Sequence, residues 1–426
     1  MSKSLIRTRA KSIAWILTLV YFASYFMRIN FAVMIVKVCQ DMNKAEPDLA
    51  IVLTMLTISY GLGQIINGFL GDKIKPQYML SGGLCLAVIC NVCMSFAEAV
   101  PLMMVVWCVN GYAHSMLWPP IVRLMSGYLT NDEYSYAAVR ISWGSSFATI
   151  TLYLLCPALL MALSWRQIIL SCAAVGAVIL VVWQIFQARL FDQPLSPVVS
   201  SKPSEKTQAP GAKLPRYVLV AIPMIMLGIV LQGSLRDGVT DWMPSILHAR
   251  FDLPAENAIL YTVIPAIFSV FSFMGFDLVH RKLFRNEVTC ATVIFVGSAI
   301  SSLLLAFSDM WFRVPALAIL LMALIIACMH GINLMLITVV PKRFLKTGKV
   351  STVSGILNAC TYIGASISVY GFAALKEHFG WTFVFFLWFG ISLAGAAVCG
   401  VISPIWKKFR REYADTPSQA DSEDPN

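Results

Sequence analysis

Charged residues are scarce in this chain of 426 residues. Asp, Glu, Lys and Arg make up 13% of it, whereas hydrophobic residues make up 58%. Soluble domains carry about 25% charged residues. A chain with so few charges could not keep this much apolar side chain in solution. The composition therefore excludes an ordinary water-soluble fold and predicts that lipid surrounds most of the surface.

Groups that carry enzyme chemistry are also scarce. The apolar segments contain no nucleophile–base pair and no cluster with metal-ligand spacing. An enzyme is therefore the least favoured class, and we expect neither a cofactor nor a metal.

Twelve segments are apolar over the length of about 20 residues that a membrane helix needs. Few residues remain outside them, so any chemistry must take place inside a helix bundle. The predicted spans are residues 12–36, 49–70, 78–97, 101–126, 137–163, 167–189, 216–239, 256–278, 288–307, 312–338, 350–375 and 381–404.

The net charge of +10 could indicate a nucleic-acid partner, but its distribution argues against one. If the N-terminus is cytoplasmic, the loops on that side hold 22 Lys and Arg residues and the opposite loops hold 6. This bias is the positive-inside rule, which predicts a multi-pass protein of the cytoplasmic (inner) membrane with both termini in the cytoplasm.

One polar stretch divides the chain. Residues 191–215 have the Pro-, Ser- and Lys-rich composition of a linker, and residues 412–426 form an acidic tail that we expect to be disordered. The sequence thus predicts an N-terminal six-helix bundle (1–190), a cytoplasmic linker, and a C-terminal six-helix bundle (216–411).

Similar residues recur at matching places in the two halves, as expected of a transporter built from two repeats. The predicted fold is an all-α membrane protein of twelve transmembrane helices in two pseudo-symmetric six-helix bundles, with a site near the midplane between them. The matching pairs are Arg28 and Arg236, Asp72 and Asp277, and His114 and His330.

Arg28 and Arg236 lie deep in equivalent spans, where an arginine costs about 2.5–3.5 kcal/mol. Neither has an evident acidic partner in another span. Each could form a structural salt bridge or snorkel to the interface. We favour a second interpretation, a pair of guanidinium forks that clamp an anion across a central cavity.

Polar and aromatic residues in the N-terminal half fit this interpretation. Their helical spacings place them in stripes, and several stripes together indicate a lined cavity rather than packing alone. They are Tyr21 and Tyr25 beside Arg28, Tyr60 with Gln64, and His114 with Trp118.

The histidines admit two interpretations, and helical spacing predicts where the acids point. His114 and His330 could be hydrogen-bonded in the interior, but we favour both facing the cavity, to donate to the substrate or take up its proton. Asp237 and Asp241 should point away from Arg236, towards other helices or the outer vestibule. The absence of an acid that stands out deep in a span argues against proton symport.

Acids at the loops suggest a cytoplasmic gate. Asp72 follows Gly68 and precedes Lys73, and Asp277 precedes Arg281. We expect both carboxylates to pair with loop cations.

At this point the chain resembles a known family. Three motifs are similar to those of the organophosphate:phosphate antiporters of the major facilitator superfamily, the family of the glycerol phosphate and hexose phosphate transporters. They are Tyr21-x-x-x-Tyr25-x-x-Arg28-x-Asn30-Phe31, the run Trp118-Pro119-Pro120 with Arg123, and Arg236-x-Gly238-x-x-Asp241-Trp242-x-Pro244. The Gly68-x-x-x-Asp72-Lys73 loop is also a signature of that superfamily. The likeness covers nearly the whole chain except the linker and the tail.

The resemblance implies that Arg28 and Arg236 bind phosphate, that Tyr21, Tyr25, Tyr60 and Trp118 line the cavity, and that the two halves rock in alternating access. This chain departs from the glycerol phosphate members, which have a lysine at Gln64, a histidine near Ser145, a glutamine at His114 and a tyrosine at His330. Losing the lysine removes a cationic ligand that the two histidines are expected to replace in part.

Three functions follow as hypotheses. The leading one is a monomeric antiporter that exchanges a phosphorylated small metabolite, or a related organic anion, for inorganic phosphate. The second is a proton- or sodium-coupled symporter of organic carboxylates. The third is a sensor on the same fold that binds its ligand without transporting it.

Overall fold

The computed structural model describes residues 7–44, 46–191, 216–251, 253, 261 and 263–414. The described chain is helical, with no strand in these ranges. The linker from residue 192 and the tail from residue 415 lie outside it, so the predicted domain boundaries there stay predictions.

Twelve spans follow one another along the chain, and the residue bounds below define their numbers. Short helices Ile35–Met42, Leu345–Thr347 and Arg410–Ala414 flank them. The N-terminal spans are 1 (Thr8–Val33), 2 (Glu46–Lys73), 3 (Pro76–Phe96), 4 (Val100–Ser115 and Trp118–Tyr128), 5 (Asn131–Leu159) and 6 (Trp165–Leu190). The C-terminal spans are 7 (Arg216–Phe251), 8 (Val263–Lys282), 9 (Glu287–Trp311), 10 (Pro315–Asn333, Leu334–Val339 and Val340–Lys342), and 11 and 12, which share the run Val350–Phe409.

Eleven helices of the described chain are long and apolar enough to cross a membrane by length and composition alone. Span 5, the helix Asn131–Leu159, is absent from that set because it is more polar; it carries Asp132, Glu133 and Arg140. The predicted twelve-helix fold is nevertheless confirmed, since a helix lies at each predicted position.

Prolines, caps and one glycine set the helix ends. Proline occupies the first turn of spans 3, 4 and 10, where its missing N–H costs no hydrogen bond. Thr130 with Glu133 and Ser164 with Gln167 form capping boxes at the starts of spans 5 and 6. Gly380 has φ +79°, a conformation that only glycine adopts readily, and there the run Val350–Phe409 turns from span 11 into span 12.

Span 10 changes its winding before it ends. Residues Leu334–Val339 form a π-helix directly ahead of Pro341, which has no N–H to donate to the preceding turn. Such segments leave carbonyls outside the regular pattern and are frequent at functional sites.

The first six spans pack mainly on one another, and so do the last six. The halves meet where span 2 packs on span 11 and span 5 packs on span 8. At the first of these contacts Gly68 and Gly355 let the two backbones touch: a Cβ added to Gly355 would lie 2.8 Å from the Cα of Gly68 and would collide with the carbonyl oxygen of Gln64. Between spans 5 and 8, Trp143 Nε1 donates to the Val270 carbonyl at 2.9 Å.

We therefore predict that Gly355→Ala destabilises this form of the protein by about 1–3 kcal/mol, because a methyl group must be forced between two helix backbones. The expected result is a lower midpoint of thermal unfolding for the purified protein. Gly371→Ala is the matched control in the same span, since a Cβ there meets nothing within 4 Å. Equal midpoints for Gly355→Ala and the native chain would contradict the close contact.

Candidate functional site

Arg28 of span 1 is enclosed by tyrosines. Its guanidinium carbon lies 4.3 Å from the ring centre of Tyr25 and 4.7 Å from that of Tyr60, and Nη1 reaches the hydroxyl of Tyr362 at 3.5 Å. The rings of Tyr60 and Tyr362 pack edge to face at 4.7 Å. Aromatic faces attract a cation but do not neutralise it. Arg28 therefore has stabilising neighbours and keeps its full positive charge.

Arg236 of span 7 is held differently. Its Nε and Nη2 donate to the two carboxylate oxygens of Asp237 at 2.5 and 2.8 Å, a bidentate ion pair with the next residue of the same helix. The expectation that Asp237 points away from Arg236 was wrong. The helical wheel gives the direction of a Cβ, and both side chains are long enough to bend back together.

The two arginines share a set of neighbours. Tyr25 of span 1 and Tyr362 of span 11 each lie close enough to interact electrostatically with both Arg28 and Arg236. Arg236 also interacts in this way with His330 of span 10. The structure thus brings the paired arginines to one region between the two halves.

Tyr362 is a site residue that the sequence analysis missed. It carries no charge and belongs to no motif with evident spacing. Nothing in the sequence marked it, since it joins the site through the packing of span 11 on span 2.

Tyr21, Trp118 and His114 extend the site within the N-terminal half. The ring of Tyr21 lies 5.1 Å from that of Trp118, and its hydroxyl is 3.5 Å from the hydroxyl of Tyr25. His114 is 1% exposed, and its Nδ1 lies 3.0 Å from Ser24 Oγ. His114 thus sits against span 1, while its Nε2 has no hydrogen-bond partner among the described residues.

Gln64 lies one turn beyond Tyr60 on span 2. It is fully buried, and neither its Oε1 nor its Nε2 has a partner within the described chain. The indole N–H of Trp118 is likewise unpaired there. Buried polar groups are nearly always paired, so these atoms are available to hydrogen-bond a polar ligand.

His330 and Asp241 lie on the C-terminal side of the site. The ring of His330 packs edge to face against Phe273 at 5.3 Å, and the side chain is partly exposed. Asp241 is exposed although it belongs to a membrane helix, and its position in an outer vestibule stays a prediction.

Together these residues form a cation-rich, tyrosine-lined region suited to an anion with hydroxyl groups. Guanidinium forks bind carboxylate, phosphate or sulfonate oxygens, and tyrosine hydroxyls can donate or accept beside them. The described residues hold no group of three or more His, Cys, Asp or Glu that could bind a metal ion.

A second set of contacts joins the halves at the face of the bundle that holds Lys73, Lys75, Lys346 and Lys349, called here the basic face. Asp72, at the end of span 2, accepts hydrogen bonds from the backbone N–H groups of Ser351 and Thr352, both at 2.9 Å. These N–H groups belong to the first turn of span 11. The expectation that Asp72 pairs with a loop cation is corrected: its main partners are the unsatisfied donors of a helix N-terminus in the other half.

The other predicted gate residues differ among themselves. Arg281 Nη2 lies 2.7 Å from Asp277 Oδ2, one turn apart on span 8, so that this pair is local. Lys73 is exposed and forms no ion pair recorded within the described ranges.

Two further contacts at the basic face were not foreseen. The Tyr134 hydroxyl of span 5 donates at 2.5 Å to the carbonyl of Thr338, inside the π-helical segment of span 10. Lys342 Nζ donates at 2.8 Å to Asn131 Oδ1 and lies 4.4 Å from the ring centre of Tyr134. The π-helix thus presents an acceptor to the opposite half.

Twelve helical spans around a central charged region define a polytopic membrane protein with the architecture of a transporter. Residues 17–369 match the family model described as Major Facilitator Superfamily. The chain belongs to this superfamily.

Similar proteins agree with this assignment and with the resemblance to organophosphate transporters. A glycerol-3-phosphate transporter of Bacillus subtilis is 26% identical over 56% of this chain and 57% of its own length. The membrane sensor protein UhpC of Escherichia coli is 22% identical over 94% of this chain and 91% of its own. A solved structure of the proton:xylose symporter XylE superposes with a TM-score of 0.77 at 14% identity, covering 94% of this chain and 97% of that one, which shows the shared fold.

The match to a further relative is short. A probable hexose phosphate transport protein of Chlamydia muridarum is 27% identical over 30% of this chain, and the match spans 27% of that relative's length.

The Asp72 contact yields a local prediction. Asp72→Ala should speed backbone hydrogen exchange in the first turn of span 11 by about tenfold, because two amide N–H groups lose an acceptor worth about 1–2 kcal/mol. Hydrogen–deuterium exchange of the peptide covering residues 349–356 measures it. Lys73→Gln is the neighbouring control and should leave that peptide unchanged; equal exchange in both variants would show that the carboxylate does not cap span 11.

Proposed function

We propose that this protein is a secondary active transporter that exchanges a phosphorylated small metabolite for inorganic phosphate. The observation that carries the proposal is that Arg28 and Arg236, from opposite halves, both lie within electrostatic range of Tyr25 and Tyr362. Arginine suits phosphate because its planar donors bind two oxygens at once and its charge persists when water is removed.

The relatives support a phosphorylated substrate. Two carry the names of glycerol-3-phosphate and hexose phosphate transporters, although each match covers only part of either chain. Gln64 stands where the resemblance implies a lysine, and it supplies neutral amide groups in place of a charge. The size and shape of the metabolite therefore need not follow those of the named relatives.

Alternating access is the mechanism that the two halves support. Two contacts close the bundle at the basic face. They are the packing of span 2 on span 11 and the hydrogen bond from Tyr134 to the carbonyl of Thr338. By the positive-inside rule we assign that face to the cytoplasm and the chain to the inner membrane, with both termini inside. In this mechanism these contacts break as the site opens inward. Because one chain supplies both halves, we also propose that the protein is a monomer.

A sensor is the second candidate. The likeness to UhpC extends over 94% of the chain, farther than the likeness to the named phosphate-ester transporters reported above. A sensor on this fold would bind the same class of anion in the same place and carry no flux.

One experiment separates the candidates. Proteoliposomes loaded with labelled inorganic phosphate are exposed to external phosphate esters and carboxylates. Antiport predicts phosphate efflux triggered by one ester. Accumulation of a carboxylate under an imposed proton or sodium gradient, without efflux, would establish symport instead, and tight ester binding without flux would establish a sensor.

We further predict that Arg28→Lys and Arg236→Lys each lower the exchange rate at least about a hundredfold. An ammonium group cannot form the bidentate fork that Arg28 offers to a phosphate group or the one that joins Arg236 to Asp237. Exchange in the same proteoliposomes measures the loss. Arg189→Lys, at an exposed position at the end of span 6, is the control and should exchange at the native rate. Native rates for either site variant would refute the arginine clamp.

A further inference from the structure

The two site arginines are not electrostatically equivalent. Arg236 is matched by Asp237 in a bidentate pair whose side chains are 16% and 26% exposed. Arg28 is contacted by the rings of Tyr25 and Tyr60 and by the hydroxyl of Tyr362. No carboxylate lies within ion-pair distance of Arg28 in the described chain.

The charge balance of the site follows from this difference. The groups that face Asp237 are Arg236 and Asp241 on its own helix, Tyr25 from span 1 and His330 from span 10. Tyr362 from span 11 interacts electrostatically with Arg236. Tyr153 from span 5 interacts in the same way with Asp241. Lys376 lies farther along, 5.8 Å from the ring centre of Trp242. Near the clamp, Arg28 is therefore the positive charge that no carboxylate compensates.

We propose that Asp237 sets the charge of the anion that the site accepts, and that the site selects a head group with a single negative charge over one with two. The inference rests on the proposed function only in taking the arginine pair as the substrate site. It holds equally for a transporter and for a sensor. A phosphate ester would then bind as its monoanion.

The physical reason is the cost of unbalanced charge away from water. A monoanion beside Arg28 balances the charges of the two guanidinium groups and Asp237, whereas a dianion leaves one excess negative charge next to Asp237. An ionised Asp241, one turn farther out, adds to that excess. In a medium of low effective dielectric constant that excess is much more costly than in bulk water. Replacing Asp237 by Asn removes the internal anion and frees the second guanidinium fork, so that a dianion becomes the balanced ligand.

The test compares two probes of equal chain length in the purified full-length protein. Propyl phosphate is mainly a monoanion near pH 5 and a dianion near pH 8, because the second pKa of a phosphate ester is about 6. Propanesulfonate stays a monoanion throughout. Dissociation constants for both are measured by calorimetry at the two pH values. Protonation of His330 or Asp241 acts on both probes, and the sulfonate corrects for its effect on a monoanion. The variant Asp241→Asn tests the larger effect that Asp241 has on a dianion.

In the native chain we expect the dissociation constant of propyl phosphate to rise by about tenfold or more from pH 5 to pH 8, relative to that of propanesulfonate. Equal binding of the monoanion and the dianion would overturn the proposal with no variant needed.

Asp237→Asn should reverse the preference, so that the dianion binds at least as tightly as the monoanion. Asp241→Asn removes a carboxylate one turn farther out and should shift the ratio less. Retained propanesulfonate binding shows that the variant is folded. A folded Asp237→Asn protein with the native ratio of dianion to monoanion affinity would overturn the role of Asp237. Asp237→Glu keeps the charge and should retain the native ratio. Absence of flux with this binding pattern would refute antiport while leaving the charge selection intact.

Discussion

A cation inside an apolar helix bundle must find its stabilisation within the protein, since lipid provides neither water nor counter-ions. The rest of the site follows from how this chain meets that requirement twice. Arg28 is placed among aromatic rings, which attract its charge without cancelling it. Arg236 is given a carboxylate from the next residue. The same amino acid at equivalent places therefore has two electrostatic characters, and a symmetric scaffold holds an asymmetric site.

The requirement recurs at the basic face, where helix ends rather than arginines need partners. The first turn of span 11 exposes N–H groups that no carbonyl of its own helix can satisfy. Asp72 of the opposite half supplies the acceptors. The Thr338 carbonyl in the π-helical segment of span 10 is met in turn by the Tyr134 hydroxyl. At these two places a side chain of one half is thus hydrogen-bonded to the backbone of the other.

This pattern explains what the sequence could reveal. Hydropathy located every span, because the length of an apolar run is a direct consequence of bilayer thickness. Its ends were placed less well: span 7, predicted over 216–239, continues to Phe251, and span 8, predicted over 256–278, is described over Val263–Lys282. Even span 5, the most polar, was found. The arginines could be singled out because charge in a span is costly, and the helical stripe of Tyr21, Tyr25 and Arg28 was readable from spacing. These features depend on one helix at a time.

The features that escaped prediction depend on two helices or on side-chain bending. Tyr362 joins the site only because span 11 packs against span 2, a relation that no local pattern contains. The partners of Asp72 are backbone groups, which carry no sequence signature. Asp237 was misplaced because a wheel projection ignores how far a side chain can bend. His114 bonds to Ser24, a residue whose small polar side chain gave no signal.

The contact between Gly68 and Gly355 has a consequence for how such a protein can change over generations. At this point the two halves meet through main chain, which is chemically the same whatever the gene encodes. Codon changes at either glycine can only enlarge the residue and push the helices apart. The closed arrangement is therefore already at its tightest here, and mutational drift at these two positions can only loosen the contact between the halves near the basic face.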